Sequence, residues 1–156
     1  MTSLELVASL VRASSNDLAE IANKMGSSNF DFKANEKART MHSQLTECAV
    51  INQWSAQIFN ERKMMDMNMG ESENFFQKAE VEYNTLEKAL AFLASSTDSF
   101  LKAIESFPPE NQDDTIIMPW GENRTFLTLA TLAIWNMNYH EGQISYIFHY
   151  LLPETK

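Results

Sequence analysis

Four long segments of this chain repeat apolar side chains every three and four positions, and nothing in it convincingly alternates with the two-residue period of a strand. That periodicity confines the fold to packed helices. The first segment is predicted from about Ser3 to Met25, with Leu6, Val7, Leu10, Leu18, Ile21 and Ala22 as its apolar positions and Gly26 as its stop. The second is predicted from about Asn35 to Arg62, with Leu45, Cys48, Ile51, Trp54, Ile58 and Phe59 in register. A methionine-rich turn, MMDMNMGES, follows. The third runs from about Ser72 to Ser106, weakened at SSTDS (Ser95 to Ser99), where short polar side chains compete for backbone hydrogen bonds. Pro108 and Pro109 end it. The fourth starts near Asn123 to Thr125 and stops before Pro153, which makes it roughly 28 residues or about 42 Å long.

Amphipathic helices of this length pack as a four-helix bundle, an all-α fold. The long irregular piece between helices three and four, FPPENQDDTIIMPWGENR, holds a candidate extended segment at Thr115 to Met118. It is long enough to cross an end of the bundle, where Met118 and Trp120 would form either a lid over a pocket or a plug.

With 156 residues the chain suits one domain, 1–156, with a real core. No apolar run approaches the roughly 20 residues that cross a bilayer, and MTSLELVASLVRASSNDLAE lacks a basic leader region. A cytoplasmic protein is expected. The single cysteine, Cys48, cannot form an internal disulfide, and its apolar neighbours favour a small buried hydrophobe over a catalytic thiol. The formal net charge of -9, with basic residues scattered, removes the attraction on which nucleic-acid and anionic-membrane binding depend.

The informative residues are polar ones at positions that ought to face inward. On the last helix the stripe Leu129, Leu132/Ala133, Asn136, His140, Gln143/Ile144, Ile147, Leu151 is interrupted at successive turns by Asn136, His140 and Gln143. On helix two, Glu47 precedes Ile51, Trp54 and Ile58 by helical spacing. A carboxylate drawn into a bundle must be neutralised, paired or bound to a cation. Glu47, Asn136 and His140 therefore read either as a partial metal site or as a satisfied polar network. His42 lies five residues before Glu47, about 140° around the helix from it, and reads as a partly exposed helix-start residue. His149 falls on a more polar side of the last helix.

These residues carry a resemblance. "NYHEGQISYI" resembles the signature near the end of the DinB/YfiT-like superfamily, "ARTMHSQLTECAVINQW" is similar to that superfamily's second helix, and "MPWGENRTFLTLA" looks like the segment leading into its final helix. The likeness covers about Lys37 to Leu151. It implies a four-helix bundle with a divalent-metal site built from one ligand on helix two and two on the last helix, which fall on Glu47, Asn136 and His140. It also implies a homodimer. Members with known activity include transferases and isomerases that use low-molecular-weight thiols such as bacillithiol, mycothiol or glutathione. Where the family often has three histidines, this chain has one, with Glu and Asn at the other places. That set offers one anionic oxygen, one neutral oxygen and one nitrogen, a weak combination for zinc or nickel.

Two functions follow as expectations. The first is a metal-dependent enzyme, a transferase acting with a low-molecular-weight thiol on a small-molecule substrate, with Ni, Zn or Mn held by Glu47, Asn136 and His140. Tyr139, Gln143, Trp54 and Trp120 would line its pocket, and no catalytic residue is assigned. The second is a non-catalytic dimer of the same fold that binds a small molecule in stress response and has lost the full ligand set.

Overall fold

The computed structural model describes residues 1–65 and 69–152. Its helices are α1 (Ser3–Met25), α2 (Met41–Glu61), α3 (Met69–Glu82), α4 (Leu86–Ser106) and α5 (Phe126–Tyr146), the last continuing into a wider π-type turn over Ile147–Leu151. Threonine starts four of them. Thr2, Thr40, Thr85 and Thr125 each stand one residue before a helix and accept from the backbone N–H three residues on, at 3.1, 2.9, 3.3 and 3.1 Å. An N-terminal N–H that would otherwise go unpaired is satisfied each time. At Thr2 the arrangement is reciprocal, because the Glu5 carboxylate accepts from the Thr2 N–H at 2.7 Å.

The bundle consists of α1, α2, α4 and α5, each packing on two others in the cyclic order α1, α4, α2, α5; α3 packs on the outside of α2. Its centre is filled by Val11, Leu18, Leu45, Ala49, Leu93, Ala130, Ala133 and Met137, all buried. At one end, Phe59 meets Phe100 edge-on and packs with Phe107 and Phe126 at ring distances of 4.9 to 5.5 Å. The face α1 turns inward is Leu4, Val7, Val11, Leu18, Ile21 and Ala22, whereas Leu6 and Leu10 are exposed at 43% and 44%. The expected stripe is thus rotated, because Leu4–Val7–Val11 continues the spacing of Leu18 and Ile21 and Leu6–Leu10 does not.

Helix boundaries differ from expectation in two places. Residues before Thr40 form turns rather than the first turns of α2, so this helix starts at Met41 and not near Asn35. The expected third helix is two helices, α3 and α4, divided at Tyr83–Thr85, while the SSTDS stretch is unbroken helix. The methionine-rich turn falls partly on residues 66–68 and the stop at Pro153 on the last four residues, outside the described residues.

The long connection between α4 and α5 contains a two-stranded antiparallel hairpin, β1 (Thr115–Ile117) with β2 (Asn123–Thr125), in which Ile116 faces Arg124. The Met118 N–H donates to the Glu122 carbonyl at 2.8 Å and closes its turn. Met118 is buried and Trp120 is 62% exposed, so the methionine, not the tryptophan, plugs the bundle end.

Candidate functional site

The groove between α2 and α5 brings Glu47, Asn136 and His140 together. The two helices run antiparallel, with Ile51 and Trp54 level with Leu132 and Leu129 in one pocket and Glu47 level with Asn136 and His140 a turn further along. Glu47 Oε1 accepts from Asn136 Nδ2 at 2.9 Å and lies 3.0 Å from His140 Nε2. Its other oxygen, Oε2, accepts from the guanidinium of Arg39, which also donates to the Ser43 carbonyl at 3.0 Å. His140 is 1% exposed. Its Nδ1 faces Gln44 Oε1 at 3.1 Å and Gln143 Oε1 at 3.3 Å.

The charges follow from these contacts. Burial pushes the Glu47 carboxyl up, but hydrogen bonds from His140 and Asn136 and the charge and hydrogen bond of Arg39 outweigh it and hold its pKa at about 2. Glu47 is therefore an anion at neutral pH. The Gln44 amide is oriented by its NH₂ group, which donates to the Arg39 carbonyl at 3.4 Å, so its oxygen is what meets His140 Nδ1. Both imidazole nitrogens then face side-chain oxygens. Arg39 and His140 flank one carboxylate.

That arrangement does not fit a divalent cation. The Glu47 and His140 donors a cation would seek are turned to hydrogen bonds: both oxygens of Glu47 accept from N–H groups, His140 Nε2 is spent on Glu47, and Asn136 turns its NH₂ to Glu47. The Asn136 oxygen is buried without a partner. Among the described residues no three His, Cys, Asp or Glu side chains converge. An incoming ion would have to compete with a guanidinium for the carboxylate of this cluster.

The other expected pocket residues divide between two places. Tyr139 and Gln143 line a groove of about 520 Å³ whose floor includes Gln44 and whose opposite wall includes Lys37 and Arg39. Trp54 and Trp120 are not at the cluster; they line a separate apolar pocket of about 210 Å³ with Ile51, Leu129 and Leu132. Trp54 stands about two turns beyond Glu47 on α2, and Trp120 reaches the pocket from the hairpin turn between β1 and β2. Cys48 is fully buried beside the cluster, its Sγ 4.0 Å from the Asn136 carbonyl oxygen. Burial and the Glu47 charge push its thiol well up, as suits an inert core residue. His42 stacks on Phe30 at 4.4 Å and its Nδ1 lies 3.2 Å from Asp31 Oδ1, outside the cluster. Two members of the network, Arg39 and Gln44, were not among the expected residues. Gln44 carried a signal, standing three positions before Glu47 on the same side of α2; Arg39 carried none, because it precedes the helix.

No protein-family model and no curated protein matches the sequence. Solved structures do match the backbone. A DinB-like protein from Bacillus subtilis, YjoA, superimposes with a TM-score of 0.68 over 95% of each chain at 18% identity. The fold is DinB-like. An uncharacterised protein from Clostridium difficile 630 superimposes with a TM-score of 0.73 over 96% of this chain and 97% of its own, at 13% identity. Among the described residues no helix is long and apolar enough to cross a membrane.

Proposed function

We propose that this chain is a DinB-like small-molecule-binding protein whose inter-helix cluster works without a divalent cation, Arg39 supplying the positive charge that a metal would bring to Glu47 and His140 and Asn136 supplying hydrogen bonds. The observation that carries this reading is the full commitment of the Glu47 carboxylate: two N–H donors on Oε1 and a guanidinium on Oε2. A carboxylate partly withdrawn from water, as Glu47 is, is stabilised either by a cation or by such donors, and here the donors are in place. The groove beside the cluster supplies the binding volume. The homodimer, the cytoplasmic setting and a role in stress response belong to the same proposal. The metal-dependent thiol transfer implied by the family resemblance is the reading it displaces.

Metal analysis of protein purified without chelator tests it, together with melting curves in the presence of Ni²⁺, Zn²⁺ or Mn²⁺. The expected result is substoichiometric metal and an unchanged Tm. One bound cation per chain, with a Tm that rises as the cation is added, overturns the proposal in favour of a metalloenzyme.

A further inference from the structure

We propose that the groove between the C-terminal half of α5 and the 34–39 loop binds a small organic carboxylate with a flat, ring-sized body. The inference rests on the small-molecule reading above and names the ligand class. Three observations carry it.

The first is charge. In a chain of net charge -9, the charged side chains that line this groove among the described residues are both cations, Lys37 and Arg39. Other grooves carry both signs, with Glu61 beside Lys63 in one and Glu5 beside Arg12 in another. Arg39 has five N–H donors and commits its two terminal nitrogens to Glu47 and Ser43 through one each, so donors are left for a second anion. Glu47 behind it offsets the Arg39 charge, and Lys37 leaves the charged groups at this groove with a positive balance that favours an anion.

The second is Gly142. It sits in the interior of α5, where glycine weakens a helix relative to alanine, and an added Cβ would meet nothing within 4 Å. Neither packing nor backbone conformation requires a glycine there. What its missing side chain does is leave a gap in the groove wall between Tyr139 and Tyr146, which stand three residues before and four after it on the same face and are 50% and 56% exposed. Tyr139 stacks on Trp135 at 5.5 Å and Tyr146 packs on Tyr150 at 5.3 Å, so two braced phenol rings border bare backbone on which a flat apolar body can lie.

The third is the polar floor. Gln44 and Gln143 both line the groove, and both place their amide oxygens on His140 Nδ1. Their NH₂ groups are the neutral donors beside the two cations. Occupation of the groove is therefore felt at His140, one hydrogen bond away.

The test titrates the full-length protein with benzoate, and with benzamide as its uncharged counterpart, following calorimetry and the ¹⁵N shifts of Gly142, Gln143 and the His140 ring. Benzoate is expected to move these resonances and benzamide to bind about tenfold more weakly. Lys37→Glu is expected to weaken benzoate by about tenfold as well, and Gly142→Phe to abolish it by filling the gap. Gly142→Ala keeps the test independent of folding: it is expected to raise Tm by about 2–4 °C while weakening benzoate. Equal binding of benzoate and benzamide overturns the carboxylate class and leaves the small-molecule reading standing. If neither compound nor any member of a neutral fragment library moves the groove resonances, both fail. If Gly142→Phe changes the mass measured by light scattering and benzoate does not bind, the groove is a contact between copies and the inference is overturned.

Discussion

Replacing Glu47 by Gln removes the charge and keeps the shape, so its effect on stability should depend on pH in a way that can be worked from the site. The carboxyl titrates near 4.5 when unfolded and at about 2 when folded. A depressed folded value means that the ionised carboxylate contributes stability fully above the unfolded value. The contribution is lost as pH falls from about 4.5 through about 2. At about 1.36 kcal/mol per pH unit, the whole contribution is about 3 kcal/mol. The part due to Arg39 is the least secure, since that side chain is 42% exposed and solvent screens it; about 2 to 3 kcal/mol is the working range. Glu47→Gln should therefore destabilise the protein by about 2 to 3 kcal/mol at pH 7 and by only about 1 kcal/mol at pH 3. Urea unfolding followed by far-ultraviolet circular dichroism at pH 7, 5, 4 and 3 measures both proteins. The 20 other acidic residues, from a total of 21, titrate in the same window and cancel in the difference between wild type and variant. A difference that is the same at pH 7 and pH 3 refutes the assignment of a paired, ionised Glu47. It would mean that the side chain acts through packing alone.

Two further outcomes follow from local geometry. Gly26 ends α1 with φ 77° and ψ 166°, a combination open essentially to glycine, and an added Cβ would meet nothing within 4 Å. Gly26→Ala is therefore expected to cost about 1 to 3 kcal/mol from backbone strain alone, and an unchanged Tm would contradict that conformation. Cys48 is fully buried with its thiol pushed well up, so labelling by a thiol reagent at pH 8 should be at least about a hundredfold slower in the native protein than in denaturant. Comparable rates would place the thiol at the surface.

Which residues face inward was legible along the facing sides of α2 and α5 but not on α1, where Leu6 and Leu10 are exposed; which charges meet them was not. Three-and-four spacing placed Asn136 and His140 on one face of α5 and Glu47 on the facing side of α2, because a regular helix fixes angular position from sequence number. A different rule, that short polar side chains compete for backbone hydrogen bonds, failed at SSTDS. Ser95, Ser96, Thr97 and Ser99 do bond backbone carbonyls, at 3.1, 3.1, 2.7 and 2.9 Å, but these belong to residues three or four positions earlier in the same helix. Thr97 also meets Ser15 and Asn52 in the core, each at 3.0 Å, which gives the polar run a place inside the bundle. The break falls instead at Thr85, whose hydroxyl caps α4. Arg39 shows the deeper difficulty. Had α2 begun at Asn35, Arg39 would lie eight residues before Glu47 and about 80° around the helix from it, free to point to solvent. The helix begins at Met41, the chain before it turns, and the guanidinium comes back onto Glu47. A helix register can say that a carboxylate is buried, but whether it awaits a cation is decided by the loop that reaches it, and loop geometry has no period to read.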